Sequence, residues 1–382
     1  MPKPIVIVVH GMGQHTHATV KASFQAGLDP VCQQFSWFQQ QSLLNRIELH
    51  TVVYDDVWQQ VRAQLADTSQ NLTQRLSAIG ADLPASALSQ ISGFITQIGT
   101  GLAGNSFLYT HLLDVILYLT HFGQMAQVRL AKQIAPLIRQ ASVNGQRLHF
   151  VAHSLGTAVL HDTLSKLYQP GPGANPVQVL SGEQLAAGSF PIASVAMLAN
   201  VSRLVPGGMD PYHSPLQPTS EGICDHFLNA RHVLDPFTLY QRFDIPAAWQ
   251  SATRQNLSRC TLKAVRQQNV HALEHYLSDP EVYLPLFELW FEGAFVPKAE
   301  ELAAARQALT SASVQGQLDA LVQHSLTAGL IIGKNASASG DYDLDNEIGF
   351  ADVLKKANQL MDTLRSTVGT FDLLGPKAGG AV

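Results

Sequence analysis

The stretch from residue 148 to residue 157 restricts the possible folds of this chain more than any other. Its apolar run Leu-His-Phe-Val-Ala ends abruptly at His-Ser-Leu-Gly, and the helix-compatible residues Ala158, Val159 and Leu160 follow at once. This pattern predicts a strand, a sharp turn and a helix, with Ser154 at the tip of the turn. A serine in that position stands clear of the sheet, and backbone N–H groups face the same space as its hydroxyl.

Residues 152–156 nearly match the motif Gly-x-Ser-x-Gly, with Ala152 in place of the first glycine. On this motif the chain resembles the α/β-hydrolase superfamily, in its lipase- and esterase-like branch. The resemblance implies an α/β fold of three layers, in which helices enclose a sheet of about six mainly parallel strands. It also implies that Ser154 is a catalytic nucleophile that forms an acyl-enzyme, with no cofactor and no metal ion.

The composition is that of a globular protein, with 382 residues of which 46% are apolar and 14% are charged. This length suits one large α/β unit with insertions. The net charge of -5 gives no electrostatic reason to expect DNA or RNA as a partner. We therefore expect a small-molecule substrate and no nucleic acid.

Several features of the sequence bear on the compartment. No apolar run reaches the ~18 residues of a membrane span, so none is expected. The apolar run at residues 5–9 is too short for the core of a secretory signal. Cys32, Cys224 and Cys260 are odd in number and far apart, which favours buried thiols in a reducing compartment. We expect a cytoplasmic protein.

Apolar runs along the chain predict the strands of the sheet. The run at residues 5–9 is β-branched throughout and lacks alternation, which is typical of a strand buried on both faces. Helical patterns between the runs favour a parallel sheet with right-handed crossovers. The predicted strands are residues 5–9, 47–54, 148–152, 192–198, 226–233 and 259–265.

Two further segments lie outside this alternation. Residues 57–125 are mostly helical in pattern and too long for a simple crossover, so we expect a helical, cap-like insertion. Residues 298–382 hold two helical patterns separated by a polar, Ser/Gly-rich segment. The prediction is a hydrolase domain over residues 1–297, with a mostly helical C-terminal extension packed on it.

A serine hydroxyl needs a base to activate it, and the base needs an orienting acid. The resemblance implies the chain order serine, acid, histidine, with each residue after a strand. Asp235 follows the strand predicted at 226–233 and precedes a proline, and Asp244 is the reserve candidate. His271 follows the last predicted strand on a loop, whereas His275 falls in the first turn of a following helix. His271 is preferred as the base, and His275 stays open.

The oxyanion that forms on an attacked acyl carbonyl needs two fixed N–H donors. The resemblance implies the backbone N–H of Leu155, the residue after the nucleophile, as one of them. It implies the N–H of Met12, in the loop after the first strand, as the other. Gly11 and Gly13 flank Met12, and without a Cβ they let the backbone approach the substrate oxygen. His10, just before this loop, is expected to be structural.

These motifs predict a serine-dependent hydrolase of carboxylic esters, and the apolar insertion makes lipid-like acyl esters one candidate substrate class. An acyltransferase or a thioesterase would use the same triad, and the sequence does not separate these activities. A third hypothesis is a hydrolase-fold protein that binds a ligand or a partner without catalysis. The C-terminal extension could serve a contact in a homo-oligomer.

Overall fold

The structure, a computed structural model, describes residues 2–11, 15–57, 118, 121–171, 173–203, 214–219, 222–233, 235, 238, 243–245, 249, 256–267 and 269–309. All of them belong to one of the chain's two compact units, formed by Met1–Gln60 and His111–Thr327. Most of the predicted insertion and most of the predicted C-terminal extension lie outside the described residues.

Within the described residues, six strands form a single sheet in which every neighbouring pair is parallel. Their order across the sheet is β2-β1-β3-β4-β5-β6. The α/β class and the six-stranded parallel sheet predicted from the sequence are therefore confirmed. The strands are β1 (Ile5–Val9), β2 (Glu48–Val52), β3 (Leu148–His153), β4 (Ile192–Leu198), β5 (Cys224–His232) and β6 (Leu257–Leu262).

The last two strands begin earlier in the chain than predicted. β5 starts at Cys224, and β6 runs from Leu257 to Leu262 instead of from 259 to 265. The hydrogen bonds between these two strands set the limits of β6. The N–H of Phe227 donates to the carbonyl of Asn256 at 3.0 Å, and the N–H of Val233 donates to the carbonyl of Leu262 at 2.9 Å.

The helices alternate with the strands along the chain. The first is held at its start by a capping box, in which the Thr16 hydroxyl accepts the Thr19 N–H at 3.2 Å. None of the described helices combines the length and apolar character needed to cross a membrane. The described helices are α1 (His17–Cys32), α2 (Ser36–Gln39), α3 (Leu43–Arg46), α4 (His121–Asn144), α5 (Leu155–Leu167), α6 (Pro176–Ser181), α7 (Leu273–Leu277), α8 (Pro280–Phe291) and α9 (299–309).

Helices cover both faces of the sheet. On one face, Val6 and Val8 of β1 belong to a buried apolar cluster with residues of α1, α7 and α8. Because successive side chains of a strand point to opposite faces, Ile5, Ile7 and Val9 face the other side, and they are also fully buried. On that side α4, α5 and α6 contact one another, and α5 contacts β1 and β3. The sheet is thus the middle of three layers.

The chain leaves β1 and β3 toward opposite faces of the sheet. α1 follows β1 on one face, and α5 follows β3 on the other, although β1 and β3 are neighbours. The carboxyl ends of two such strands border a crevice, which is the usual ligand site of an open α/β sheet. Gly11 lies at the end of β1, and Ser154 lies at the end of β3. The topology therefore places both residues at this crevice.

Candidate active site

Ser154 occupies a sharp turn between β3 and α5. Its backbone angles, φ 55° and ψ -131°, lie in a region that residues with a Cβ rarely adopt. The turn is held on both sides, because the Ser154 N–H donates to the carbonyl of Leu198 at 3.0 Å and the Thr157 hydroxyl donates to the Ser154 carbonyl at 2.7 Å. These contacts hold Ser154 in a strained backbone conformation, which is common at functional sites.

Two glycines allow the loops at the crevice to approach each other. A Cβ at Gly156 would lie 2.8 Å from the carbonyl oxygen of Val9, so only glycine lets α5 begin so close to the end of β1. A Cβ at Gly11 would lie 2.6 Å from the Cβ of Ser154. Ala152 is fully buried in β3, where its single methyl group fits. The alanine in the motif is thus compatible with the turn.

The structure brings Ser154, His271 and Asp235 together. The Nε2 atom of His271 lies 2.7 Å from the Oγ of Ser154, and its Nδ1 atom lies 2.8 Å from the Oδ2 of Asp235. A carboxylate can only accept, so Nδ1 carries the proton and Nε2 is left to accept the serine hydroxyl. All three residues are buried, with 1%, 4% and 0% of their surface exposed. Such an arrangement can supply a serine with a base and orient that base with a carboxylate.

A second histidine fixes the loop that carries His271. His153, the last residue of β3, donates from Nε2 to the carbonyl oxygen of His271 at 2.6 Å. Burial, aided by the neighbouring His271, lowers the pKa of His153 to about 3, so the ring is neutral and its one proton lies on Nε2. The N–H of His271 also donates to Asn269 Oδ1 at 3.1 Å. The base is held through its backbone as well as through its ring.

Asp235 lies in a tight turn just after β5. Its N–H donates to the carbonyl of His232 at 3.2 Å, and its own carbonyl accepts the N–H and the hydroxyl of Thr238, both at 3.1 Å. The reserve acid, Asp244, is exposed to solvent, whereas the buried Asp235 occupies the Nδ1 side of His271. Asp235 is therefore the acid of this hydrogen-bonded chain.

The competing histidine, His275, lies on α7 and packs elsewhere. Its ring makes an edge contact with that of His232, with centroids 5.3 Å apart. Burial is the largest cause that lowers its pKa to about 3, followed by the charge of Arg266 and by His232. His271 rather than His275 is thus the histidine bonded to Ser154.

Of the two predicted oxyanion donors, Leu155 lies within the described residues. Leu155 is the first residue of α5, where backbone N–H groups have no partner within the helix and the helix dipole favours negative charge. Met12 lies outside the described residues. The residues before it are fixed, because the Tyr54 hydroxyl donates to the carbonyl of His10 at 2.8 Å and the two rings stack at 4.2 Å. Burial lowers the pKa of His10, which fits a structural role.

The described part of the chain gives little support to chemistry that uses a metal ion or a cysteine. There, no three His, Cys, Asp or Glu side chains are grouped as metal ligands would be. Cys32, Cys224 and Cys260 are buried and free, and burial is the main cause that raises the pKa of each thiol. A raised pKa keeps a thiol protonated and a poor nucleophile.

Two residues of this site were not predicted from the sequence. His153 was part of the motif but had no assigned role, although its place next to the nucleophile is a signal. Tyr276 donates its hydroxyl to Asp235 Oδ2 at 2.7 Å, and its position within an apolar turn gave no indication of that contact. No family model, no curated protein and no solved structure matches the chain.

Proposed function

We propose that this protein is a serine hydrolase of the α/β-hydrolase superfamily, and that it cleaves carboxylic esters through an acyl-enzyme on Ser154. The observation that carries the proposal is the continuous chain of hydrogen bonds from Ser154 through His271 to Asp235, at 2.7 and 2.8 Å. A buried serine, histidine and carboxylate in this order form the constellation that activates a serine hydroxyl.

The chemical steps follow from the proton positions. As the Oγ of Ser154 attacks the ester carbonyl carbon, Nε2 of His271 accepts the hydroxyl proton, and Asp235 stabilises the imidazolium. The oxyanion of the tetrahedral intermediate accepts the N–H of Leu155. The imidazolium then donates its proton to the departing alcohol oxygen, which leaves an acyl-enzyme. Water, activated by the same imidazole, releases the acid and restores the serine hydroxyl.

The topology supports the family proposal. The three residues follow β3, β5 and β6, so that they occur in the order serine, acid, histidine and all lie near the carboxyl edge of one parallel sheet. This is the chain order of α/β-hydrolases, whereas other serine hydrolase folds use other orders. Gly11 begins the loop after β1, which such a fold uses for an oxyanion donor, and it lies against Ser154. Lipid-like acyl esters are part of the proposal as one candidate substrate class.

The proposal is tested by hydrolysis of a chain-length series of p-nitrophenyl esters. We expect a turnover that falls by about 10⁶-fold in Ser154→Ala, as in sites whose triad acts as a unit. Ser165→Ala is a matched control, since this serine is buried on the same helix and its hydroxyl has no hydrogen-bond partner. Hydrolysis that is equal in the wild type and in Ser154→Ala would refute the proposal.

A further inference from the structure

Asp235 accepts a hydrogen bond from a second side chain besides His271. The hydroxyl of Tyr276 lies 2.7 Å from Oδ2, the same oxygen that accepts Nδ1 of His271 at 2.8 Å. The tyrosine oxygen also accepts the backbone N–H of His232 at 3.0 Å. Tyr276 is fully buried, so these contacts are not exchanged with water.

The direction of these bonds is fixed by chemistry. A backbone N–H can only donate, so the tyrosine oxygen accepts from His232, and its single proton points to the carboxylate. Burial and the charge of Asp235 raise the pKa of Tyr276 well above its ordinary value, which keeps that proton in place. A bond from a neutral donor to a buried carboxylate is stronger than one between neutral groups.

The position of Tyr276 in the fold makes this contact a bridge between two loops. Tyr276 lies on α7, directly after the turn that carries His271, and belongs to the apolar cluster that anchors α7 against α1 and the sheet. His232 is the last residue of β5, just before the turn that carries Asp235. The hydroxyl of Tyr276 therefore contacts both the side chain of Asp235 and the last residue of β5.

We propose that Tyr276 is a positioning residue of the active site, which holds Oδ2 of Asp235 against Nδ1 of His271. Without the hydroxyl, Oδ2 of Asp235 loses a hydrogen-bond donor, and the carboxylate is held less firmly against Nδ1 of His271. The imidazolium that forms during attack on the substrate is then stabilised less often. The two hydrogen bonds of the Tyr276 hydroxyl go to Asp235 and His232, so we expect its removal to leave substrate binding unchanged. This inference rests on the proposed function.

The test uses Tyr276→Phe, which removes one oxygen atom and keeps the ring. With p-nitrophenyl butyrate as substrate, we expect kcat to fall by about tenfold, the loss of one hydrogen bond to a charged group, while KM stays the same. Tyr283→Phe is the matched control, because Tyr283 is buried in the same apolar cluster, and we expect wild-type kinetics from it. A Tyr276→Phe variant with the kinetics of this control would overturn the proposal.

A double-mutant cycle with Asp235→Asn separates positioning from a general loss of structure. If Tyr276 acts through Asp235, adding Tyr276→Phe to Asp235→Asn lowers kcat by less than about twofold further. If Tyr276→Phe lowers kcat by the same factor in the wild type and in Asp235→Asn, the tyrosine has only a structural role and the proposal is wrong. A wild-type protein without Ser154-dependent hydrolysis would refute the proposed function itself, which is a separate outcome.

Thermal melting shows whether Tyr276→Phe is folded. If it is not, p-aminophenylalanine at position 276 keeps the volume of the ring and a donor at its tip. We expect that variant to regain folding and a kcat within about tenfold of the wild type. A folded p-aminophenylalanine variant with the turnover of Asp235→Asn would overturn the proposal.

Discussion

The strained backbone of Ser154 predicts that glycine at this position stabilises the fold relative to alanine. At φ 55° and ψ -131°, a residue with a Cβ is held in a conformation that costs about 1–3 kcal/mol. Ser154→Ala keeps this strain, whereas Ser154→Gly relieves it. Both variants lose the bond from Oγ to His271 Nε2, so that loss cancels in the comparison.

The expected difference follows from two opposing terms. Glycine relieves the strain, but its greater freedom in the unfolded chain costs about 0.5–1 kcal/mol. From the middle of each range, Ser154→Gly should be more stable than Ser154→Ala by about 1 kcal/mol. For a chain of this size, that corresponds to a rise in Tm of about 1–2 °C. Both variants should be inactive.

Urea unfolding followed by circular dichroism measures this difference, with Ser165 as the matched control. Ser165 lies within α5, where glycine should be less stable than alanine by about 1 kcal/mol. The account predicts opposite signs at the two positions. If glycine is the less stable residue at position 154 as well, Ser154 holds no strain and the reasoning about the turn is wrong.

Three further predictions concern the base, the crevice and the pH. His271→Ala should lower turnover by about 10⁶-fold in ester hydrolysis. His275→Ala should leave turnover nearly unchanged, but lower the free energy of unfolding by about 1–3 kcal/mol, which melting will show. Gly11→Ala should lower kcat by at least ~100-fold in the same assay, because its Cβ would lie 2.6 Å from the Cβ of the nucleophile. Burial lowers the pKa of His149, His153 and His275 to about 3, and that of His10 well below its ordinary value, so unfolding exposes four imidazoles that bind protons below pH ~6.5. The stability that these four groups contribute is fully present above that pH, and the free energy of unfolding should fall by about 5 kcal/mol per pH unit toward pH 3 in urea titrations.

Each of these predictions has an outcome that contradicts it. Equal turnover losses in His271→Ala and His275→Ala would mean that the observed hydrogen bonds do not identify the base. Wild-type activity in Gly11→Ala would show that the two loops do not approach as described. For the loss of stability in acid, His149→Asn should remove about one quarter of the pH slope, and an unchanged slope would mean that this histidine is protonated in the folded protein.

The layers of the fold were predictable because they depend on local patterns. β1 and β4 were predicted at both ends, since their apolar runs are bounded by polar or turn residues. The predicted start of β6 was wrong. Pairing with β5 determines which residues enter the sheet, and the β-propensity of residues 259–265 does not. Strand limits of this kind depend on the neighbouring strand, which a single sequence does not define.

The site was predictable in its residue types and order, but not in its supporting contacts. The sequence favoured His271, on a loop after the last strand, but left His275 open. The structure separates them, because His271 lies before α7 with its ring at Ser154, whereas His275 lies on α7 with its ring at His232. The contact of Tyr276 with Asp235 joins residues 41 positions apart. Such contacts follow from the way α7 packs against the end of β5, and periodicity does not encode them.

The most direct test of the proposed function is covalent labelling with a fluorophosphonate probe, followed by peptide mass spectrometry. A fluorophosphonate reacts with a serine only when a base has activated its hydroxyl. The account predicts labelling of the folded wild type at Ser154, equal labelling of Ser165→Ala, and none of Ser154→Ala or His271→Ala. A folded wild type that stays unlabelled, or a His271→Ala variant labelled at the wild-type rate, would contradict the account.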